Sequence, residues 1–515
     1  MSYDLSEILF RCRLRKYPIL YILIFFSLVL PAQERKRIDI LQADEMAVNE
    51  KIVADAQRLI GNVILKHNEV LMYCDSAYQY TGVNMVDAFG NVHVNQGDTL
   101  HLYAKRVRYN GDISIARAYI DVRLETQNAT LYTDTLDYNL KTNVGYYDDN
   151  GKIVDSTNVL TSKEGQYLVD QDMAYFYFNV KGESEDYDLF CDSMSYNTKT
   201  SRIYIESPTT IRDSANILFA RDGWYDTKSG YAYLLDKPVV YNDNQQLKAT
   251  IIEYFRETGR GFARGAVDIY DLNNQTIVKG RYAEYDDNLN SALVTDSSVL
   301  IMYSGQDSLY LHADTLITVP DTIDDEKIVK AYWGVRFWRT DIQGACDSLN
   351  YFSRDSTVQL FFDPILWSDN RQLTSDYIEM KSNDKKPDEV RLLNNAFIIS
   401  QLDTIMFDQI KGKNMCGYIR ENELFRIDVD GNGQTLYYAQ DQGELIGLNR
   451  ALSSKIYIWF NEGKINRISL VSDPEGTLKP IPMVNGPDRR LMGFEWKIEL
   501  RPLSRHDIFR QEKSR

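Results

Sequence analysis

The segment DVDGNG at residues 428–433 carries residue types that bind calcium, because it copies the first six positions of an EF-hand loop. The twelfth position of such a loop needs a glutamate, and Ala439 stands there instead. No helical pattern flanks the segment on either side. Since Asn-Gly pairs favour tight turns, the sequence predicts a hairpin turn here rather than a metal site.

The sequence contains no recognisable set of catalytic residues. The histidines show no metal-ligand spacing: His67, His93, His101, His312 and His506. No G-x-S-x-G, H-E-x-x-H or P-loop sequence is present. Acidic residues are plentiful but recur at equivalent positions of a repeat, so no carboxylate pair stands out. We therefore predict that the protein is not an enzyme and uses no cofactor.

An eight-residue motif organises the chain. The stretch LYAKRVRY at residues 102–109 returns at a period of 29 residues, from Leu131, Leu160, Leu189, Leu218 and Leu247. Further copies begin at Met72, Val278, Leu311, Gly344 and Leu373. A fixed period of this length is typical of stacked supersecondary units, each of which cannot bury its apolar face alone.

The motif predicts a strand that bends in its middle. Its first and third positions are apolar or small, its fourth is polar, and its sixth and eighth are mostly apolar, often with tyrosine last. Side chains alternate between the faces of a straight strand, so a bulge or bend at the fourth position must bring both pairs inside. Cys74, Cys191 and Cys346 hold the small third position. We expect them to be buried and free, because the repeats separate them beyond disulfide distance.

The predicted fold class is all-β: an elongated antiparallel stack of two-strand repeats. Second strands such as GNVILKH at Gly61 and GNVHVNQ at Gly90 follow the same period, and Gly, Asn and Asp turns punctuate the chain. The acidic stretch at residues 320–327 is predicted to be a loop between rungs, because the repeat continues beyond it. A net charge of −16 argues against nucleic acid as a partner.

Four regions follow from these features. Residues 1–33 have the basic start and short apolar run of a signal peptide, and the run is too short to span a bilayer. Residues 34–325 form the repeat region, residues 326–480 continue it, and residues 481–515 form a C-terminal extension that caps the stack or lies along it. We expect export to the periplasm. Attachment to the outer membrane and an uncleaved anchor stay open.

The stretch AFGNVHVNQGDTLHLYAKRVRY at residues 88–109 resembles the OstA-like repeat of the lipopolysaccharide-transport proteins LptA and LptD. The likeness extends over roughly residues 41–380, because the motif recurs in many copies along the chain. The chain is similar to the larger OstA-like proteins of Bacteroidetes-type bacteria. It departs from LptA in its greater length and its C-terminal extension, so an LptA-like and an LptD-like role both stay open.

The resemblance implies a V-shaped stack of the LptA-like β-jellyroll type, whose apolar groove holds acyl chains and carries lipopolysaccharide towards the outer membrane. It implies other lipopolysaccharide-transport proteins as partners, joined by edge-to-edge strand addition, and self-association through the same edges is open. The inward motif positions would contact lipid. They are Leu102, Val107, Tyr109, Leu131, Leu136, Tyr138, Leu189, Met194, Tyr196, Leu218, Tyr225, Leu247, Ile252 and Tyr254.

Two other classes of protein stay open from the sequence. A structural or adhesive β-solenoid would close its interior, and the apolar stripe would then be only a core. A carbohydrate-active β-helix enzyme would need carboxylates clustered on neighbouring rungs. An open apolar groove favours transport, a fully packed interior favours the scaffold, and an acidic cleft favours the enzyme.

Overall fold

The structure is a computed structural model that describes residues 37–48, 55–80, 82–97, 100–214, 216–304, 307–323, 326–382, 387–421, 423–441, 443–461 and 463–510. The signal segment predicted at residues 1–33 lies outside them. Within these ranges the chain forms 38 strands and short 3-10 helices, without an α-helix, so the all-β prediction is confirmed. A helix with the length and apolar character needed to cross a membrane is not found among them.

The strands follow one another along the chain with short connections. Strands β1 to β14 are Asp39–Gln42, Glu45–Val48, Ala56–His67, Val70–Tyr80, Met85–Gln96, His101–Asn110, Ile115–Glu125, Thr130–Asn139, Val144–Tyr147, Gly151–Val154, Val159–Ser162, Glu164–Leu168, Met173–Glu183 and Asp188–Asn197. Strands β15 to β28 are Arg202–Ile205, Thr209–Arg212, Ile217–Ala220, Asp222–Asp226, Tyr231–Leu235, Val239–Tyr241, Gln245–Lys248, Ile251–Phe255, Arg260–Asp271, Thr276–Asp286, Ser291–Ser304, Asp307–Pro320, Lys327–Trp338 and Gln343–Phe352.

The C-terminal part continues in the same way. Strands β29 to β38 are Thr357–Phe361, Ile365–Ser368, Arg371–Thr374, Tyr377–Lys381, Asp388–Gln401, Phe407–Arg420, Glu423–Asp441, Glu444–Asn461, Lys464–Val471 and Glu475–Pro480. The 3-10 helices are Val169–Gln171, Ser353–Asp355, Ile481–Met483, Gly486–Arg489, Ile498–Leu500 and Asp507–Phe509. Strand β26 ends at Pro320 and β27 begins at Lys327, so the acidic loop was expected at the right place; the described residues between them, 321–323 and 326, are not in a strand.

Each pass of the chain is a bent strand that contributes to two sheets. Some passes are one long strand, and others break into two short strands at the bend. For example, β9 and β10 both pair with β8, while β9 also pairs with β12 and β10 with β11, all antiparallel. We call the sheet that contains β9 and β12 wing A, and the sheet that contains β10 and β11 wing B. Because buried residues of both wings form shared cores, the wings face each other.

A bulge at each bend explains how one strand serves both wings. In β5, Gly90 and Asn91 have positive φ values of 72° and 42° and together oppose Lys105, the fourth motif residue of β6. Two residues against one define a bulge, which bends the strand pair. Leu102 and Tyr109, on either side of the bend, are both buried. The predicted bend is confirmed, although the extra residue lies on the neighbouring strand rather than on the motif strand.

The Gly-Asn pairs of the second strands are selected by this geometry. A β-carbon on Gly90 would lie 2.3 Å from a carboxylate oxygen of Asp75, and positive φ is a conformation that glycine and asparagine tolerate best. Asn91 donates a hydrogen bond of 2.9 Å to the same carboxylate. The same hydrogen bond recurs one repeat earlier, where Asn62 donates to the carboxylate of Asp44 at 2.9 Å.

The hairpin turn predicted for DVDGNG is wrong. Its Gly431 and Asn432 have positive φ values of 83° and 51°, but they lie inside β35 at a register shift against β36. The same positive-φ residues that suit a turn serve here as a mid-strand bulge. Asp428 and Asp430 form ion pairs with basic side chains, Arg426 at 2.5 Å and Lys455 at 3.5 Å.

The C-terminal extension lies along the outer face of wing B and runs back towards the centre of the stack. Gln409 accepts a hydrogen bond from the backbone N–H of Leu491, and Gln372 accepts one from that of Lys497, at 2.8 and 2.7 Å. Leu491 packs in a cluster outside the main core, and Ile508 packs on the outer side of β25. This extension therefore covers an apolar outer face of wing B.

Candidate functional site

The interior is closed over the N-terminal passes. Large side chains fill the space between the wings there, and each is less than 2% exposed: Tyr138, Tyr147, Tyr167, Phe176 and Tyr196. Phe176 on β13 faces Met194 on β14 as its cross-strand partner. Since interiors of this kind are packed at near-crystalline density, these side chains fill the described interior of this block.

A buried polar network closes the side opposite the bends in this block. The loops of the two wings line this side, and we call the gap between the two rows of loops the mouth. Asn158, in a wing B loop, donates to the hydroxyl oxygens of Tyr196 and Thr227 in wing A at 2.8 and 3.1 Å. Tyr187 donates to the side-chain oxygen of Asn158 at 2.8 Å. Tyr196 also donates to Asp155.

Similar contacts across the mouth, which we call latches, continue along the block. The side chains joined are His67 with Tyr109 at 2.5 Å, Thr126 with Tyr167 at 3.0 Å, Asn128 with Asp172 at 2.8 Å, and Arg256 with Asp186 at 2.9 Å. Burial raises the pKa of the tyrosine hydroxyls in these latches, for Tyr109 to about 12. The hydroxyls therefore stay protonated and can donate at physiological pH.

An apolar groove of about 450 Å³ opens between the wings at the centre of the stack. Its walls come from both wings. The apolar lining comprises Leu218, Val240, Leu247, Ile252, Tyr254, Ala263, Ile269, Val278, Ala283, Tyr285, Ala292, Val294, Leu300, Met302, Leu316, Val329 and Tyr351. Leu247, Val278 and Met302 are only half-buried, although the equivalent positions of the N-terminal block are fully buried. The groove is therefore apolar surface without a protein partner, which usually has a binding role.

The wall of this groove includes a pair of small residues. Ala263 on β23 and Ala283 on β24 are cross-strand partners and line its wall. They hold the positions that Phe176 and Met194 hold three repeats earlier. The equivalence is counted from the bulges: Ala263 lies two residues before the bulge of β23, as Phe176 lies two residues before the bulge of β13. Small residues at this register do not open the interior by themselves, because Ala77 and Ala88 are cross-strand partners there in the closed block and are at most 1% exposed.

The rim of the groove is polar. Wing B contributes Asn216, Asn242 and Asn274, and wing A contributes Asp287 and Asn290. Tyr285 donates to Asp287 at 3.0 Å, and burial together with that carboxylate raises the pKa of Tyr285 to about 12. An apolar channel with a hydrogen-bonding rim suits an amphiphile, whose chain and head need different surroundings.

The structure separates the fourteen residues that the sequence singled out for lipid contact. Four line the groove: Leu247 and Tyr254 are half-buried, while Leu218 and Ile252 are at most 4% exposed and belong to the same core cluster as the rest. The other ten lie in the main core and are at most 4% exposed: Leu102, Val107, Tyr109, Leu131, Leu136, Tyr138, Leu189, Met194, Tyr196 and Tyr225. Lipid contact at all fourteen stays a prediction. The motif identified inward positions, but it did not distinguish a filled interior from an open one.

The sequence reasoning missed the residues that shape the groove. Ala263 and Ala283 were available as small residues at inward positions, and a comparison of side-chain volume between repeats would have found them. Leu300 and Met302, on the following strand, had no motif signal because the copy there is degenerate.

Cysteines and metal-ligand side chains form no second site in the described ranges. Cys74, Cys191, Cys346 and Cys416 are free, as expected for the first three. The expected burial is confirmed for Cys74 but is wrong for Cys191 and Cys346, which are half-buried. Burial raises the pKa of Cys74 and Cys191 to about 11. Thiols with such a pKa are weak nucleophiles at neutral pH. Histidine, cysteine, aspartate and glutamate side chains nowhere gather there in a set of three that could hold a metal ion.

The fold is an antiparallel stack of bent strands with an apolar interior that is filled at the N-terminal end and open at the centre. The sequence model of the family described as OstA-like protein matches residues 35–192. This match supports the OstA/LptA-like assignment made from the repeat. It covers most of the closed block and ends before the groove. No curated protein matches the chain.

Proposed function

We propose that this protein is a periplasmic lipid-binding bridge that carries lipopolysaccharide towards the outer membrane, with acyl chains held in the central groove. The observation that carries the proposal is the apolar groove of about 450 Å³ between the wings. The OstA-like match over residues 35–192 supports a transport and binding role over an enzymatic one. Six charged residues are among those that line the groove: Glu253, Asp271, Glu284, Asp287, Glu326 and Lys327.

The driving force for chain binding is the removal of hydrocarbon from water. Each buried methylene contributes about 0.8 kcal/mol, so about ten methylenes in the groove would contribute roughly 8 kcal/mol before ordering costs. Half-buried Val278 and Met302 would lose their contact with water at the same time. Weak head-group contacts would then suffice to hold an amphiphile. Release would need another apolar surface that buries a similar area of the chain.

The ends of the stack offer surfaces for partners. Strands β1 and β2 pair with β3, and β37 and β38 pair with β36, so in the described part of the chain each terminal pass has one free edge. Such edges accept further strands by β-augmentation. Other lipopolysaccharide-transport proteins, or a second copy of this chain, would join the stack there and extend it across the periplasm.

The proposal is tested by mass spectrometry of lipids extracted from the full chain after mild purification. We expect a stoichiometric acyl-chain lipid, and lipopolysaccharide when the protein is taken from cells that make it. The matched control is the variant Ala263→Phe with Ala283→Met, in which the groove is filled. Equal lipid content in the native and filled proteins, or none in the native protein, would refute the groove as a lipid site.

A structural or adhesive scaffold is the second candidate, and the closed N-terminal block favours it. There the interior is packed and latched like an ordinary core, as at Phe176 and Asn158. A scaffold would function through its outer faces. Lipid-free protein that retains partner binding after the groove is filled would favour this second function.

A further inference from the structure

A second concave surface lies on the outer face of wing B, in the closed block. It is an open cleft of about 830 Å³, and its floor is formed by β6, β7, β8, β10, β11 and β13. Leu131 and Ile153 are buried, so Tyr132 and Lys152, which alternate with them along β8 and β10, point away from the core. The cleft shares no residue with the groove.

The outward side chains of the floor form one row across the strands. In cross-strand order, each paired with the next, they are Tyr103, Arg123, Tyr132, Lys152, Thr161 and Lys181. A cation therefore occurs at every second strand, and the three cations are 29 residues apart in the sequence, which is the period of the repeat. Since neighbouring strands lie about 4.8 Å apart, the cations recur at roughly 10 Å along the row.

The positive charge of this row is available to a ligand. Lys152 and Lys181 are exposed, and neither forms an ion pair in the part of the chain that the structure describes. The Nζ atom of Lys152 lies 5.3 Å from the ring centroid of Tyr132, a contact that favours its place in the row. Arg123 forms an ion pair with Glu125 at 3.1 Å, so the two lysines carry most of the free charge.

Carboxylates line the edge of the cleft that is nearer the bend. Asp121 is paired with Lys105, whereas Asp134 and Asp149 form no ion pair within the described ranges. These two carboxylates would repel a purely anionic polymer, but they can accept hydrogen bonds from hydroxyl groups. Evenly spaced cations beside hydrogen-bond acceptors suit a ligand that is both acidic and rich in hydroxyls.

Two other classes of macromolecule fit this cleft less well. Each strand of its floor is hydrogen-bonded on both sides, as β8, β10 and β11 show, so a peptide cannot add there as a further strand. A net charge of −16 opposes a nucleic acid.

We propose that the cleft binds a linear acidic glycan that carries one negative group on every second sugar and lies across the strands of wing B. A pyranose ring in an extended glycan spans about the distance between neighbouring strands, so every second ring meets a cation of the row. The hydroxyls of the rings then donate to the carboxylates at the edge. This site lies outside the groove, and its function does not depend on lipid binding.

The first test uses a hyaluronan hexasaccharide, which has a carboxylate on every second sugar, in calorimetric titration of the full chain. We expect one hexasaccharide to bind per chain, and a neutral chitin hexasaccharide to bind at least tenfold more weakly. Lys152→Gln with Lys181→Gln should weaken hyaluronan binding at least tenfold, with an unchanged Tm because both side chains are exposed.

The matched control is Lys199→Gln with Lys228→Gln. It removes two exposed lysines that are also 29 residues apart but lie in loops of wing A, so we expect the Kd to change less than twofold. An absence of hyaluronan binding, equal binding of the neutral hexasaccharide, or the same Kd in the cleft variant and the control would overturn the proposal.

A gain of binding tests the spacing. Thr210 lies 29 residues after Lys181 and continues the row beyond Phe190, so Thr210→Lys supplies a fourth cation. We expect this variant to bind a hyaluronan octasaccharide at least threefold more tightly than the native protein does. An unchanged Kd for the octasaccharide would contradict a glycan that lies along the row.

Two more probes identify the source of the ligand. Purified cell-wall sacculi and free hyaluronan share the acidic group on alternate sugars. Co-sedimentation with sacculi that the cleft variant loses would assign the glycan strands of the wall, and hexasaccharide binding without co-sedimentation would assign a free polysaccharide. A peptide with glutamate at every third residue that binds more tightly than the hexasaccharide would overturn the proposal and make the cleft a protein-docking surface.

Discussion

Ala263 and Ala283 face each other across neighbouring strands in the wall of the groove, at the register where Phe176 and Met194 face each other in the closed block. The small pair lies in the open part of the interior and the large pair in the filled part, although the backbone pairing is the same. Side-chain size at this register does not act alone, since the closed block also holds the cross-strand pair Ala77 and Ala88 there.

Restoring the large pair should close the groove. Ala263→Phe with Ala283→Met brings the packing of the closed block to the centre of the stack, so we expect unchanged or higher stability and at least a tenfold loss of lipid binding. Filling an existing cavity usually stabilises a protein when no rotamer is strained. Thermal unfolding and the lipid content of the purified protein measure the two effects. Loss of folding without lipid would instead mean that the groove is too narrow for these side chains.

The opposite change in the closed block should be costly. Phe176 is fully buried, and Phe176→Ala removes a ring from a packed interior, so we expect a loss of about 3–5 kcal/mol in the free energy of unfolding. Denaturant unfolding measures the loss. A new lipid site at this position in place of destabilisation would show that the block opens readily, contrary to its packed interior.

The latch at Asn158 should contribute more than the latches at the surface. Asn158 is 2% exposed and joins Tyr187, Tyr196 and Thr227, so Asn158→Leu leaves three buried hydroxyls short of a partner. We expect a loss of about 2–4 kcal/mol. The control is Asn128→Leu, whose hydrogen bond lies nearer solvent and should cost less than about 1 kcal/mol. Equal losses from the two changes would contradict a buried network.

Stability should depend on pH through Asp408. Burial raises the pKa of this carboxyl to about 6 from its ordinary value of 3.8, while the backbone N–H of Tyr438 donates to it at 2.9 Å. The folded state therefore takes up the proton first as pH falls, so this stabilisation is present below about pH 4 and is lost as pH rises through 6.

Asp408→Asn keeps the hydrogen-bond acceptor and removes the charge. We expect the variant to be more stable than the native protein above pH 7, by up to about 3 kcal/mol, and to lack the decline between pH 4 and 6. Chemical unfolding across that range measures it. The exposed Asp192→Asn is the control and should retain the native slope. A native-like slope in Asp408→Asn would show that this carboxyl is solvated in the folded protein.

Much of the architecture could be predicted from the sequence, because each repeat carries the same pattern of apolar and polar positions along its strand. The motif residues Leu102 and Tyr109 identified two inward faces, and the polar Lys105 between them identified the bend. The fold class followed from the period of the repeat. The bulge was predicted on the motif strand but lies on the neighbouring strand. An extra residue on either strand of a pair bends both, so the sequence pattern does not show which strand carries it.

The groove was harder to predict than the fold. An inward Leu131 in a closed block and an inward Leu247 in the groove have the same type and the same motif position. What distinguishes them is the size of side chains on other passes, which pack against them only after the wings come together. The path of the C-terminal extension was equally hard to predict. Gln372 and Gln409 bind its backbone, and backbone contacts have no sequence signature.

Site-specific photo-crosslinking in cells tests the central claim most directly. A photoreactive residue is placed at Ile252 in the groove, at Leu136 in the closed block, and at the exposed Asp134 as a background control. The account predicts lipid capture, detected as a lipopolysaccharide adduct, at Ile252 and at neither of the other positions. Equal capture at Ile252 and Leu136 would contradict a closed block, and capture at none of them would contradict lipid carriage through this groove.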